Sequence, residues 1–273
     1  MRILFLGDIV GRVGRDAVHL SLNALREKYH IDFVIANAEN ASHGRGLTKE
    51  HYHFLADTCG IDAITLGNHW YDKKEIEFYF DEAPELIRPL NIPDCSFGVG
   101  TREFLCHNVP IRVTNILGTG LMKDEVSSPY TSFSMSLLNE KPSIHIVDYH
   151  AECTSEKITF AYFFDGKATA FLGTHTHVQT NDARILEKGS AFMSDVGMCG
   201  NPTGIIGFEK QSVINKVVYG ARKPFGLKED GKKMMNGLLL DVSEETYRAT
   251  SLETINFVME ETYEENVDSR NAK

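Results

Sequence analysis

The sequence predicts an α/β fold built on a largely parallel sheet. Two observations support this class: short apolar runs alternate with longer helical patterns through the first third of the chain, and polar residues follow directly after the apolar runs. Strands that alternate with helices are typical of a parallel sheet with helices packed against its faces.

Three strands and three helices are expected near the start of the chain. Short apolar segments, which suit strands buried on both faces, lie at residues 2–6, 32–36 and 62–66. Helical patterns lie at residues 16–29, 48–59 and 73–80. Thr48 is a suitable N-cap for the second of these helices, and Gly60 suits its end.

The later part of the chain is less regular. Further strands are expected at residues 111–117, 143–148, 167–172 and 191–194, with a late hairpin formed by 238–242 and 248–257. One helix is expected from Thr154 or Ser155 to about Phe164, and residues 197–207 should form a flexible, glycine-rich loop. We expect a single domain over residues 1–259 and a charged, frayed tail at 260–273.

Composition excludes several classes of protein. The formal net charge is −10, and an acidic chain lacks the positive field that attracts long nucleic acids. No apolar run approaches the ~20 residues of a membrane helix, and the first residues lack the features of a signal peptide. The five cysteines form no CxxC pair, which argues against a zinc ribbon or a disulfide scaffold. We therefore expect a cytoplasmic protein that binds neither membranes nor long nucleic acids.

Polar side chains collect after five of the predicted strands. They are Asp8, Glu39 with Asn40, Asn68 with His69, His150, and His175 with His177. Ligands of open α/β sheets gather where the carboxyl ends of parallel strands meet, and carboxylate, amide and imidazole groups are common metal ligands. Each residue alone has an ordinary explanation, such as a turn role for Asp8. Their joint occurrence at strand ends favours a metal site.

The histidine pair is the strongest single signal in this set. Residues two apart in an extended segment point to the same side of the chain. If the segment is extended, His175 and His177 converge on one cluster, with one imidazole for each ion.

The ordered set of polar residues resembles the calcineurin-like metallophosphoesterases. Those enzymes carry an Asp-x-His, a bridging carboxylate, a Gly-Asn-His, a later His and a Gly-His-x-His. This chain departs from that pattern at Val10, which replaces the first His, and at Glu39, which replaces the bridging Asp. Both departures match the YmdB-like branch of the family. The matching stretches are residues 7–11, 37–41, 44–48, 67–69, 148–152 and 194–198.

The resemblance implies a four-layer αββα fold of two packed mixed sheets flanked by helices. It also implies two metal ions per chain, with iron as the expected metal and manganese or zinc able to substitute. One ion is expected to bind Asp8, Asn40 and His177, and the other to bind Asn68, His150 and His175, with Glu39 bridging the two.

The implied activity is a metal-dependent phosphodiesterase. Its substrates are expected to be small cyclic nucleotides, 2′,3′-cyclic or 3′,5′-cyclic, hydrolysed by in-line attack of a hydroxide that bridges the metals. His69 follows Asn68 on an extended strand end, so its side chain should diverge from the metals. It is either a proton donor to the leaving oxygen or a hydrogen-bonding support for the ligands. Arg45 is a candidate phosphate contact, and its alternative is a turn residue.

Two other functions remain open from the sequence. A regulatory protein could hold the same metals without turnover, because binding and catalysis use the same ligands. A Rossmann-type dinucleotide binder is disfavoured, since Gly7, Gly11 and Gly14 do not match the GxGxxG spacing. The sequence leaves open whether the chain forms a homo-oligomer.

Overall fold

Two β-sheets packed face to face form the centre of the protein. The computed structural model describes residues 1–138 and 140–259, so the predicted tail at 260–273 lies outside the described residues. The strands are β1 (Arg2–Leu6), β2 (Asp8–Ile9), β3 (Phe33–Asn37), β4 (Ala63–Thr65), β5 (Leu86–Ile87), β6 (Thr101–Cys106), β7 (Val109–Leu117), β8 (Ile144–His150), β9 (Ala170–Thr174), β10 (Arg184–Ile185), β11 (Ala191–Met193), β12 (Met198–Gly200), β13 (Lys233–Val242) and β14 (Ala249–Met259).

Six α-helices occur within the described residues. They are α1 (Gly11–Tyr29), α2 (Lys49–His53), α3 (Ile76–Tyr79), α4 (Pro129–Ser136), α5 (Thr154–Phe163) and α6 (Lys210–Val217). A π-helical turn at Phe54–Thr58 continues α2, and a 3₁₀ turn at Phe80–Glu82 continues α3. None of the helices in this part of the chain combines the length and the hydropathy that a membrane span requires.

Both sheets are mixed, with parallel strands at their centres. The first has the order β2-β12-β13-β1-β3-β4-β5, with β14 beside β13, and the second has the order β10-β11-β9-β8-β7-β6. Strands β1, β3, β4 and β5 run parallel, as do β7, β8, β9 and β11. The carboxyl ends of these parallel strands therefore form the edge at which a ligand site is expected.

Three apolar layers hold the sheets and helices together. The layer between the sheets contains Phe5 of β1 and Ile146 of β8. A second layer, with Leu22 of α1, covers the outer face of the first sheet, and a third, with Phe160 of α5, covers the second sheet. This is the four-layer αββα arrangement, so the predicted fold class is confirmed and a Rossmann-type fold is excluded.

The main differences from the predicted elements occur where glycine or tertiary pairing changes the backbone. Helix α1 begins at Gly11 rather than residue 16, and at this start Gly11 takes a φ of 58° and donates its N–H to the carbonyl oxygen of Asn40. The predicted flexible loop at 197–207 was wrong at its start. There β12 is buried between β2 and β13, and Cys199 lies in the core.

A glycine in β9 allows the closest backbone approach beside the predicted site. A Cβ at Gly173 would overlap the carbonyl oxygen of Ser194, which is backbone and cannot rotate away. We expect Gly173→Ala to lower the free energy of unfolding by about 3 kcal/mol, the upper range for overpacking. Gly226→Ala, whose Cβ would meet only ordinary contacts, should change it little. Urea unfolding measures the free energy of unfolding of both variants, and equal values would contradict this account.

Candidate metal centre

The carboxyl ends of the parallel strands bring the seven predicted ligands to one edge of the sandwich. Asp8 begins β2, and Glu39 and Asn40 follow β3. Asn68 follows β4, His150 ends β8, and His175 and His177 follow β9. The side chains of Asp8, Glu39, Asn40, His150 and His177 are all buried.

One group of donors surrounds His150. Its Nε2 atom lies 3.0 Å from Asn68 Oδ1, 3.0 Å from His175 Nδ1 and 3.3 Å from Glu39 Oε1. Glu39, His150 and His175 each offer a ligand atom, and these atoms lie within 4.8 Å of one another. Nitrogen and oxygen lone pairs that converge at this spacing fit a bound cation.

A second group joins Asn40 and His177 near Asp8. Asn40 Oδ1 lies 3.1 Å from His177 Nε2. Asp8 Oδ2 accepts a hydrogen bond from the backbone N–H of His175 at 3.1 Å. The other oxygen, Asp8 Oδ1, is buried and has no hydrogen-bond partner within the described residues. An orphaned buried carboxylate oxygen is costly, and a cation would satisfy it. The donor set therefore fits a metal.

Hydrogen bonds to the other ring nitrogens orient two of the histidines. His177 Nδ1 lies 2.8 Å from the carbonyl oxygen of Ile206, which can only accept, so Nδ1 carries the proton. His150 Nδ1 lies 2.9 Å from Thr174 Oγ1, whose hydroxyl donates to Asp148 Oδ1 at 2.6 Å. Both arrangements point Nε2 at the centre, so a neutral ring would offer its lone pair there to a cation, as metal-binding histidines require.

The loop after β9 is not extended. His175 and His177 take φ values of 103° and 64°, both in the left-handed region that non-glycine residues rarely adopt. The prediction that they converge through an extended segment was therefore wrong in its geometry. Instead, the turn directs His175 towards His150 and His177 towards Asn40.

A buried ion pair holds this strained loop. Lys157 Nζ lies 2.9 Å from Asp195 Oδ2 and donates to the carbonyl oxygen of Thr174 at 2.8 Å. Asp195 also accepts the backbone N–H of Thr176 at 3.0 Å. Strained backbone of this kind persists only where the surroundings fix it, and it is common at functional sites.

When no cation is bound, the ionisable groups of the centre have pKa values shifted in different directions. Burial raises the pKa of Asp8 to about 6. Burial also raises the tendency of Glu39 to protonate, but His150 outweighs this and holds the pKa of Glu39 below its usual range. Burial disfavours the charged form of His150, yet Glu39 and Asp8 overcome it and raise its pKa to about 9. Burial and His150 lower the pKa of His175 to about 3. Glu39 and His150 are thus a charged pair beside a neutral His175.

His69 lies beside the centre, apart from the donor groups. Its backbone N–H donates to Glu39 Oε2 at 2.8 Å, while its ring Nδ1 lies 3.0 Å from Asp72 Oδ2. Arg45 Nε lies 3.4 Å from the same Asp72 oxygen. The ring is 18% exposed and lines a cavity of about 550 Å³ that opens from the centre to solvent, and Arg45 lines it too.

Several supporting residues were missed by the sequence analysis. Asp72, Lys157 and Asp195 act through the contacts described above. Glu152 Oε2 lies 3.2 Å from His175 Nε2, on the side of the ring away from Nδ1, which faces His150. Glu152 lies in the stretch 148–152, which resembles the family, and this was the only sequence indication of its role because it does not lie at a strand end.

The fold and the site define the class of protein. Two packed mixed sheets, with clustered carboxylate, amide and imidazole groups at one edge, are those of a metallophosphoesterase-type protein. A family model described as YmdB-like protein matches residues 4–255. The chain belongs to the YmdB-like family.

Relatives and solved structures agree with this assignment. The chain is 41% identical over 257 residues to a 2′,3′-cyclic-nucleotide 2′-phosphodiesterase of Bacillus subtilis (strain 168), covering 93% of this chain and 96% of the relative. A crystal structure of a novel phosphatase from Mycoplasma pneumoniae has a TM-score of 0.89 at 38% identity, covering 96% of this chain and 95% of that one. A hypothetical protein from Thermus thermophilus has a TM-score of 0.88 at 36% identity, covering 94% of this chain and 99% of that one.

Removing the cation of the buried pair should be costly. Lys157→Met leaves Asp195 charged and buried, so we expect the free energy of unfolding to fall by about 3–5 kcal/mol. Lys49→Met is the matched control, because its partner Glu82 is exposed, and it should unfold like the wild type. Denaturant titration measures the free energy of unfolding of the two variants. A Lys157→Met protein as stable as the control would mean that the ion pair does not hold the loop.

Proposed function

We propose that this protein is a phosphodiesterase that hydrolyses cyclic nucleotides with a pair of metal ions. The observation that carries the proposal is the orphaned Asp8 oxygen among convergent donors, which fits a cation rather than a purely structural polar cluster. The activity for which the Bacillus subtilis relative is named supports 2′,3′-cyclic nucleotides as substrates. Activity on 3′,5′-cyclic nucleotides is the second substrate class that we propose to test.

The two donor groups support two ions. Asp8, Asn40 and His177 would hold one, and Asn68, His150 and His175 would hold the other. Glu39 would bridge them, since a carboxylate has two oxygens and ions in such pairs lie ~3.5–4 Å apart. Imidazole, amide and carboxylate ligands suit iron, with manganese or zinc able to substitute.

Metal ions supply charge that the chain alone lacks. When bound, they make a coordinated water acidic near neutral pH and offset the charge of the phosphoryl oxygens. The remaining roles belong to side chains that line the cavity. Asp72 Oδ2, 3.0 Å from His69 Nδ1, would hold the ring as a charge partner, with Nε2 available to a leaving oxygen. Arg45, on the same carboxylate, is placed to meet a phosphate.

Domain organisation and location complete the proposal. We propose that residues 1–259 form a single domain, since β13 near the end of that range pairs with β1 at its start, and β14 pairs with β13 in the same sheet. All five cysteines are free, which supports a reducing compartment such as the cytoplasm.

Metal content tests the ligand assignment. Glu39→Ala removes the shared ligand, so we expect both ions to be lost or misplaced, whereas Asn40→Ala should chiefly weaken one. Elemental analysis of the purified proteins measures the stoichiometry, with the exposed Glu187→Ala variant as a control that keeps two ions. A wild-type protein that takes up no transition metal, even after reconstitution, would overturn the proposal.

Turnover tests the role of His69. If His69 protonates the leaving oxygen, His69→Ala should lower kcat on 2′,3′-cyclic AMP by about 10²–10⁴-fold with both metals retained. The kcat of His69→Ala on a nitrophenyl phosphodiester, whose leaving group departs without a proton, should fall much less. His107→Ala, at an exposed histidine, is the matched control.

The alternatives give different results in the same assays. Equal losses on both substrates would make His69 a stabiliser of charge rather than an acid. Loss of metal would make it a support for the ligands. A wild-type protein that binds two metals but turns over neither substrate would favour a regulatory protein.

A further inference from the structure

The cavity has an aromatic wall beyond the metal centre. Phe208 and Phe225 line it together with Lys216, on the side reached through His177. The rings of His177 and Phe208 are nearly parallel, at 14° with centroids 6.4 Å apart. The rings of Phe208 and Phe225 follow at 5.4 Å and 50°. An aromatic series therefore runs outward from a proposed metal ligand.

The backbone holds this wall in place. Phe208 and Ile205 exchange two N–H···O=C bonds of 2.9 Å each. Next to Phe225, the carbonyl oxygen of Gly226 accepts the N–H of Glu209 at 2.9 Å. The carboxylate of Glu209 also caps α6, from which Lys216 projects. Both rings are thus attached to one hydrogen-bonded unit, although each stays partly exposed.

Lys216 adds a positive charge to the wall. Its Nζ lies 4.7 Å from the centroid of Phe225, within the range of a cation–π contact. Among the described residues, no carboxylate lies within the distance of an ion pair from it. The ammonium group therefore offers donors beside the rings, where a stacked base presents its nitrogen and carbonyl acceptors.

We propose that Phe208, Phe225 and Lys216 form a nucleobase subsite. Partly exposed rings that line a cavity can take a flat partner, and every base has a π-face that stacks on aromatic side chains. The cavity volume of about 550 Å³ is that of a small-molecule site. With its phosphate at the metal-side donors, a nucleoside cyclic phosphate places its base against this wall. The inference rests on the proposed function and adds selectivity for substrates that carry a base.

The experiment compares a substrate with a base and one without. Phe225→Leu keeps an apolar side chain but removes the π-face. The substrates are 2′,3′-cyclic AMP and glycerol 1,2-cyclic phosphate. Phe225→Tyr is the conservative variant, and Phe78→Leu, at a phenylalanine that is 82% exposed outside the cavity, is the matched control.

The expected result is a selective loss of ground-state binding. Phe225→Leu should raise KM for 2′,3′-cyclic AMP by about five- to hundredfold with kcat unchanged, the range of base stacking. The glycerol substrate should be unaffected, and Phe225→Tyr should retain wild-type values. Equal losses on both substrates, or none on 2′,3′-cyclic AMP, would overturn the subsite.

Binding of adenosine separates this inference from the proposed function. Adenosine carries no phosphate, so its titration by calorimetry needs no turnover, and saturation-transfer NMR on the wild type reports contact between adenine and the aromatic protons. A lower affinity of Phe225→Leu than of the wild type for adenosine supports the subsite even if no phosphodiester is hydrolysed. Adenosine that binds equally to both proteins, or makes no aromatic contact, refutes the subsite while hydrolysis of the cyclic phosphate still stands.

Discussion

The buried carboxylate of Asp148 is the constraint on which the rest of the site depends. It accepts hydrogen bonds from Thr65 of β4 at 2.6 Å, from Asn37 of β3 at 2.9 Å and from Thr174 of β9 at 2.6 Å. Two of these donors belong to one sheet and the third to the other. A buried charge is tolerated only with such partners. Satisfying Asp148 therefore fixes how the carboxyl ends of the two sheets meet.

This junction positions the proposed ligands next to it. The Thr174 hydroxyl, which is oriented by Asp148, in turn contacts His150 Nδ1. Asn37 Oδ1 accepts the backbone N–H of Glu39 at 3.0 Å. Lys157 holds the opposite side of the loop after β9. The donors are thus arranged by groups that do not face the cavity. Such preorganisation lets a polar site act without rearranging when charge develops in a reaction.

The cavity combines two chemically different walls. One carries the carboxylate, amide and imidazole donors, and the other carries Phe208 and Phe225. The loop between β12 and α6 supplies Ile206, which fixes the proton of His177, and also Phe208. A single segment therefore orients a proposed metal ligand and forms part of the aromatic wall. The same loop would therefore influence both the proposed base contacts and the geometry of the proposed ligand.

The sequence by itself determined the fold class, the central strands and the set of polar residues at the strand ends. These features are local, because apolar runs define buried strands and the residues that follow them lie at the ligand edge. It did not determine the start of α1, the pairing of β12 or the left-handed turn at His175 and His177. Only the tertiary structure decided these, together with Asp72, Asp195 and Phe225, because their roles depend on contacts with chain segments that sequence patterns do not connect.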